Sequence, residues 1–116
     1  MDQQLANYLR THRKKAGLSQ RELSIILGYG QEGSVCRHER FQTMPSLQAA
    51  LSYEIIFGVP VSEIFVGLRD TISVTVEQRL TVLEDNLGQR SGKGRQAAST
   101  AQKLEWLLER RGYPQA

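Results

Sequence analysis

Glycine residues divide the first 68 residues of the chain into a series of short helical segments. Gly17, Gly28 and Gly58 each follow a segment whose apolar residues recur at helical spacing. Glycine readily adopts the left-handed backbone conformation that ends a helix. Helices this short are not stable alone. We therefore predict an all-α fold in which several short helices share one core.

Helix start signals accompany these stop signals. The run Ser19-Gln20-Arg21-Glu22 has the form of a capping box, and Ser46 is the expected N-cap of a later helix. We predict a third helix over residues 32–40 and a short fifth helix over residues 61–65, with Gly67 ending the unit. The expected core positions are Leu5, Leu9 and Ala16 on the first helix, Leu23, Ile26 and Leu27 on the second, Val35 on the third, and Leu47, Ala50, Leu51 and Ile55 on the fourth.

Residues 69–116 have a different pattern. Two amphipathic helices are predicted, with apolar stripes at Val76, Leu80, Leu83 and Leu87 and at Ala97, Ala101, Leu104 and Leu108. A basic, glycine-rich linker over residues 88–96 separates them. The β-branched run 71–76 is either a short strand or the start of the first of these helices.

Composition excludes several classes of protein. The chain has 116 residues, 15 Lys and Arg against 12 Asp and Glu, one Cys and two His. One cysteine forms no internal disulfide, and these residues supply no tetrahedral metal set, so we expect no cofactor and no metal. No apolar run approaches the ~20 residues of a membrane span, and the polar N-terminus is unlike a signal peptide. We expect a cytoplasmic protein with no membrane partner. No nucleophile–base spacing or phosphate-binding loop indicates an enzyme.

Two short helices joined by a tight turn, the second polar and exposed, form the helix-turn-helix plan. Over about residues 5–68 the sequence resembles the Cro and lambda-repressor type of helix-turn-helix domain, the XRE family. The residues that carry the resemblance are Gly17-Leu18-Ser19-Gln20-Arg21-Glu22-Leu23, Leu27-Gly28, Val35, Arg37, Glu39-Arg40, Pro45-Ser46-Leu47, Phe57-Gly58-Val59 and Glu63-Ile64-Phe65.

The resemblance implies a five-helix lambda-repressor-like domain over residues 1–68, with residues 69–116 as a helical extension. It implies a sequence-specific regulator of transcription, a repressor, that binds double-stranded DNA with the third helix in the major groove. Base contacts are expected from Gln31, Glu32, Ser34 and Arg37, and phosphate contacts from Gln20, Arg21 and Arg40. Arg13 and Glu39 occupy the positions of a structural ion pair.

Some positions depart from the family pattern. The turn between Gly28 and Val35 is one residue longer than usual, His38 replaces an aliphatic residue, and Phe41 stands where glycine is usual. Alternative roles remain: Arg37 contacts only phosphate or pairs with Glu32, and the Ser19–Glu22 segment is only a cap.

We expect a homodimer, because one small module offers few contacts to DNA. The candidate surfaces are the apolar strip Tyr53, Ile56 and Phe57 and the two C-terminal helices. Alternatively, those two helices pack on their own subunit. A different function is an antitoxin-like interaction module, in which the helix-turn-helix domain is a scaffold and the C-terminal helices bind a protein partner.

Overall fold

The computed structural model describes residues 7–89 and 95–111. Within these ranges all regular structure is helical, as predicted. The helices are α1 (Leu9–Lys15), α2 (Gln20–Leu27), α3 (Gly33–Glu39), α4 (Leu47–Phe57), α5 (Val61–Ile64), α6 (Val66–Gln89) and α7 (Arg95–Arg111). The chain divides into two compact units, the first ending at Ile72 and the second beginning at Ser73. No helix in the described ranges is both long and apolar enough to cross a bilayer.

The predicted helix caps form. Ser19 Oγ accepts a hydrogen bond from the Glu22 amide at 3.0 Å, and the Ser19 amide donates to Glu22 Oε1 at 2.8 Å. Ser46 Oγ accepts from the Ala49 amide at 3.1 Å and so caps α4. These bonds satisfy amide groups that have no partner within the helix, which is why α2 and α4 begin where the sequence predicts.

Left-handed residues end the first four helices. Gly17, Gly28 and Gly58 have φ values of 76°, 86° and 69° after α1, α2 and α4. After α3 the same conformation falls on Phe41, with φ 58°. The Phe41 amide donates to His38 O at 3.1 Å and the Gln42 amide to Arg37 O at 2.8 Å, the two bonds of a Schellman motif. This position therefore requires a left-handed residue, and packing of the Phe41 ring on Phe65 (centroids 6.3 Å apart) offsets the strain.

The core of the first unit is small and continuous. Its buried members are Leu9, Leu23, Val35, Ala49, Tyr53, Ile64 and Phe65. Leu9, Leu23 and Val35 were predicted core positions and are confirmed, with Leu27 packed beside them. The predictions for Ala16 and Ile26 are wrong, since both residues are exposed. Ala16 is the C-cap residue that follows α1, and Ile26 lies beside the face of α2 that carries Leu23 and Leu27. Leu5 lies outside the described residues.

The prediction of which side of α4 faces the core is wrong. Tyr53 is fully buried and Ile56 and Phe57 are half-buried, so this strip faces the core and is not a free dimer surface. The predicted core residues Leu47, Leu51 and Ile55 are exposed, and Ala50 is half-buried. The reason is that α4 is apolar on both sides, so periodicity does not identify its inner face. The burial of Tyr53 depends on a partner for its hydroxyl, which α3 supplies.

The later helices differ from prediction in their limits and register. Helix α6 passes through Gly67 and through residues 71–76, so Gly67 ends no unit and the strand alternative is wrong. In the second unit the stripe residue Leu87 is buried, and Leu80, Ala97 and Leu104 are half-buried, as predicted. The other predicted stripe residues are exposed: Val76, Leu83, Ala101 and Leu108. The inner face of each helix is narrower than its apolar stripe, and that of α7 is turned toward Thr100 and Leu107, which lie outside the predicted stripe.

Two ion pairs join the helices of the second unit. Arg110 Nη2 lies 2.8 Å from Glu77 Oε2, and Arg111 pairs with Glu84. The predicted linker is shorter than residues 88–96, since α6 continues to Gln89 and α7 begins at Arg95. Its central residues 90–94 lie outside the described residues.

Candidate nucleic-acid interface

Helix α3 is held by a buried face and has one exposed residue on its outer side. Of its seven residues, Val35 and His38 are buried. Val35 packs in the core with Leu23 of α2. Arg37 is exposed, and the other residues are half-buried. A helix this polar depends on its neighbours for stability, and its open face is available to another molecule.

A buried carboxylate joins the end of α3 to α1 and α2. Glu39 Oε2 lies 2.5 Å from Arg13 Nε, and Glu39 Oε1 accepts from Arg13 Nη2 at 3.2 Å and from Gln20 Nε2 at 3.0 Å. Arg13 Nη1 also donates to Leu18 O at 2.9 Å. The two residues predicted to form a structural ion pair are thus brought together, with 9% and 4% of their side chains exposed. Their bonds fix the angle between the three helices.

Gln20 is part of this network, which sequence reasoning did not anticipate. Its amide group donates to Glu39, and the side chain is half-buried. The role predicted for Gln20 was a phosphate contact. In the described chain Gln20 ties the first turn of α2 to the last residue of α3, and its contact with a phosphate stays a prediction.

His38, on the buried side of α3, packs against α4. Its Nδ1 and the Tyr53 hydroxyl share a hydrogen bond of 2.7 Å, and its ring lies edge-on to both Tyr53 and Tyr29. Burial, and secondarily the Arg37 cation, lower the pKa of His38 below its usual value. Burial raises the pKa of the Tyr53 hydroxyl. The pair is therefore a neutral, buried polar contact, and His38 is a packing residue as its sequence position suggested.

Asparagine 7 is a second residue that sequence reasoning missed. Its Nδ2 donates to His38 O at 2.9 Å, and its Oδ1 accepts from the Leu9 amide at 2.9 Å. One side chain thus forms an Asx-turn before α1 and also binds the end of α3. An Asn side chain that binds the amide two residues later is a recognisable turn signal, but its bond to α3 depends on the tertiary fold.

The residues predicted to contact bases lie in the turn before α3 and along the helix as far as its last turn. Gln31 and Glu32 are exposed in the turn before the helix, and Ser34 is half-buried in its first turn. Arg37 Nη2 donates to Ser34 Oγ at 3.5 Å, a long hydrogen bond. A Cβ atom at Gly33 would lie 3.1 Å from Arg37 Nη1, so glycine leaves room for the guanidinium. In the described part of the chain Arg37 forms no ion pair with Glu32, which removes that alternative.

The two arginines predicted to contact phosphates are exposed, whereas Gln20 is half-buried. Arg21 lies in the first turn of α2, and Arg40 is the C-cap of α3. Both side chains are exposed, and no ion pair in the described chain involves either of them. Unpaired guanidinium groups beside a polar helix face are suited to bind an anion.

A cleft of about 360 Å³ opens beside the start of α3. Its lining residues are Arg21, Ser24, Ile25, Tyr29, Gly30, Gln31 and Glu32. Three of these residues were predicted DNA contacts, so the cleft belongs to the same surface. Ser24 Oγ is buried and has no hydrogen-bond partner in the described chain.

Comparison of the sequence with models of known protein families and with curated proteins finds no match.

Proposed function

We propose that this chain is a sequence-specific, double-stranded-DNA-binding regulator of transcription, a repressor of the Cro and lambda-repressor type (XRE family). In this proposal helices α1–α5 form a lambda-repressor-like head, and α3 enters the major groove. The chain acts as a homodimer in the cytoplasm and has no catalytic role. One observation carries the proposal: α3 is anchored by buried contacts at Val35, His38 and Glu39, while its opposite side presents Arg37.

The exposed groups suit the two kinds of contact that DNA offers. A guanidinium pairs with both acceptors of guanine, so Arg37 is the main base-reading residue. Its bond to Ser34 is long and is given up at little cost. Gln31 is suited to adenine and Glu32 to the amino group of cytosine. Arg21 and Arg40 neutralise phosphates and set the position of the head without reading the sequence.

The test is a selection of bound sequences from random duplex DNA, followed by affinity measurements on the selected site and on random duplex. We expect Arg37→Ala to lower the ratio of the two affinities about tenfold or more, since a bidentate base contact is worth about 1–3 kcal/mol of discrimination. Arg40→Ala should weaken both affinities alike and reduce their dependence on salt. Arg79→Ala is the control, because Arg79 is an exposed cation of α6 in the second unit and is not among the predicted DNA contacts.

Two results would contradict the proposal. If the chain does not bind duplex DNA at low salt, the regulator function is wrong. If it binds and Arg37→Ala leaves the sequence preference unchanged, α3 does not read bases in this register.

A protein-interaction module is the second candidate function. Exposed apolar side chains on α7, Trp106 and Leu108, favour it, because such residues are enriched where proteins meet. In this alternative the first unit is a scaffold and the C-terminal helices bind a partner, as in antitoxins. Failure to bind DNA, combined with capture of a folded protein that Trp106→Ala releases, would favour this function over the first.

A further inference from the structure

Helix α4 has apolar residues on its inner side and also on a side that the fold leaves exposed. Its eleven residues, Leu47–Phe57, include a single charged side chain, Glu54. A helix on the surface of a globular protein normally has one apolar face and one polar face, whereas a helix that is apolar all round is buried. Only half of its eight apolar residues belong to the inner face, namely Ala49, Tyr53, Ile56 and Phe57.

The open side forms one continuous ridge. Leu47, Leu51 and Ile55 are 76%, 48% and 81% exposed and follow one another at intervals of four residues. Met44, 65% exposed, precedes them just before the helix. We call these four residues the α4 ridge. Side chains four residues apart form the ridge that most often packs into the groove of another helix, at a crossing angle of about −50°.

We propose that the α4 ridge is the surface through which two copies of this chain associate. The inference deepens the proposed function, since it gives the site of the homodimer. A two-fold axis passing near Leu51 would place each Leu47 opposite the partner's Ile55, so that the ridge is its own complement. Contacts of this kind, in which the same patch serves both subunits, are the commonest in soluble dimers.

The area of the ridge meets what a dimer needs. If a fully exposed Leu, Ile or Met presents roughly 180 Å², the four side chains leave about 500 Å² uncovered on each copy, so two copies would bury about 1,000 Å² from the ridge alone, near the lower limit for a specific interface. A patch of about 500 Å² is also at the upper end of what monomers expose. An interface of this size is weak in the absence of DNA.

Electrostatics permit self-association. The four residues of the ridge carry no charge. The single charged residue of α4, Glu54, is exposed beside the ridge, and its Oε1 accepts a hydrogen bond from the Val61 amide at 3.0 Å, which holds the carboxylate toward the start of α5. No ridge residue would therefore meet a like charge on its own copy across the axis, where like charges oppose association.

The experiment measures mass by sedimentation velocity from about 5 to 200 μM, the range in which weak homodimers form. Wild type should dimerise. Leu51→Glu places two carboxylates at the axis and should raise the dimer Kd at least about 100-fold. The control is Val82→Glu, an equally exposed apolar position of α6 (59%) in the second unit, which should leave the Kd unchanged. Thermal melting of both variants at low concentration verifies that they fold, as expected for substitutions of exposed side chains.

Two results would overturn the inference. One is a wild-type chain that stays monomeric throughout this range. The other is a dimer that survives Leu51→Glu and is lost in Val82→Glu, which places the contact on α6. Either result leaves the proposed binding to DNA intact if the wild-type chain binds duplex DNA. A dimer that does not bind DNA refutes the proposed function without refuting the interface.

Discussion

Replacing one member of the buried Arg13–Glu39 pair should destabilise the chain more than replacing both. The Glu39 carboxylate accepts three hydrogen bonds, two from Arg13 and one from Gln20, in a site where 4% of its side chain is exposed. Arg13→Met fills a similar volume but leaves the carboxylate with Gln20 alone. It also removes the donor to Leu18 O. We expect a loss of about 3–5 kcal/mol in the free energy of unfolding, the usual cost of leaving one buried charge unpaired.

Replacing Glu39 alone should lower the free energy of unfolding by a similar amount, and the effects of the two replacements should be strongly coupled. Glu39→Leu leaves the Arg13 guanidinium with one bond, to Leu18 O, so we again expect a loss near 3 kcal/mol. The double variant buries no charge, and apolar replacements of buried pairs are often close to neutral. Its loss should therefore be about 2 kcal/mol or less, which gives a coupling energy of at least about 3 kcal/mol.

Urea unfolding followed by circular dichroism measures the free energy of unfolding of the wild type, the two single variants and the double variant. The comparison requires that this free energy falls with urea at the same slope in each of them. The exposed pair Glu77–Arg110 of the second unit is a matched control. Its cycle should give only a small fraction of the buried coupling, because solvent screens exposed ion pairs. If the Arg13 and Glu39 losses add within about 0.5 kcal/mol, the pair is not coupled and the reasoning from its burial is wrong.

Two further predictions concern buried polar groups. Since the pKa of His38 lies below its usual 6.5 in the folded chain, the unfolded chain takes up a proton that the folded state excludes, and stability should fall as the pH drops below about 6.5. Urea unfolding at several pH values should show this loss in wild type but not in His38→Gln, and equal losses in both would contradict it. Ser24→Ala removes a buried hydroxyl without a partner and should raise the free energy of unfolding by about 1 kcal/mol. A loss of stability in that variant would show that the hydroxyl has a partner such as water.

The limits of most helices followed from local chemistry. Each capping signal depends only on residues close to it in the sequence, so the sequence alone predicts where these helices begin and end. The signals are the Ser19–Glu22 capping box, the Ser46 cap and the glycines at 17, 28 and 58. The β-branched run 71–76 was ambiguous, since such residues favour strands but are tolerated in a long helix. Here the helix continues through them and through Gly67.

The faces of the helices were harder to predict. In α4 both sides are apolar, and only the bond between Tyr53 and His38, fifteen residues apart, determines which side turns inward. In the second unit each stripe is wider than the face that the neighbouring helix covers. The Arg13–Glu39 contact was expected from family resemblance and not from spacing, and the part that Gln20 and Asn7 play in fixing α3 depends on three helices meeting.

The shortness of α3 limits how much sequence one copy can specify. Seven residues, ended by the left-handed Phe41, extend about 10 Å at 1.5 Å per residue. At 3.4 Å per base pair, that length faces about three base pairs. Three base pairs occur by chance about once in 64 positions, and two copies of α3 reading six would meet a match about once in 4,000. On the proposed function, a single head carries too little information to select one gene, so association of two copies determines the selectivity of the protein as well as its affinity.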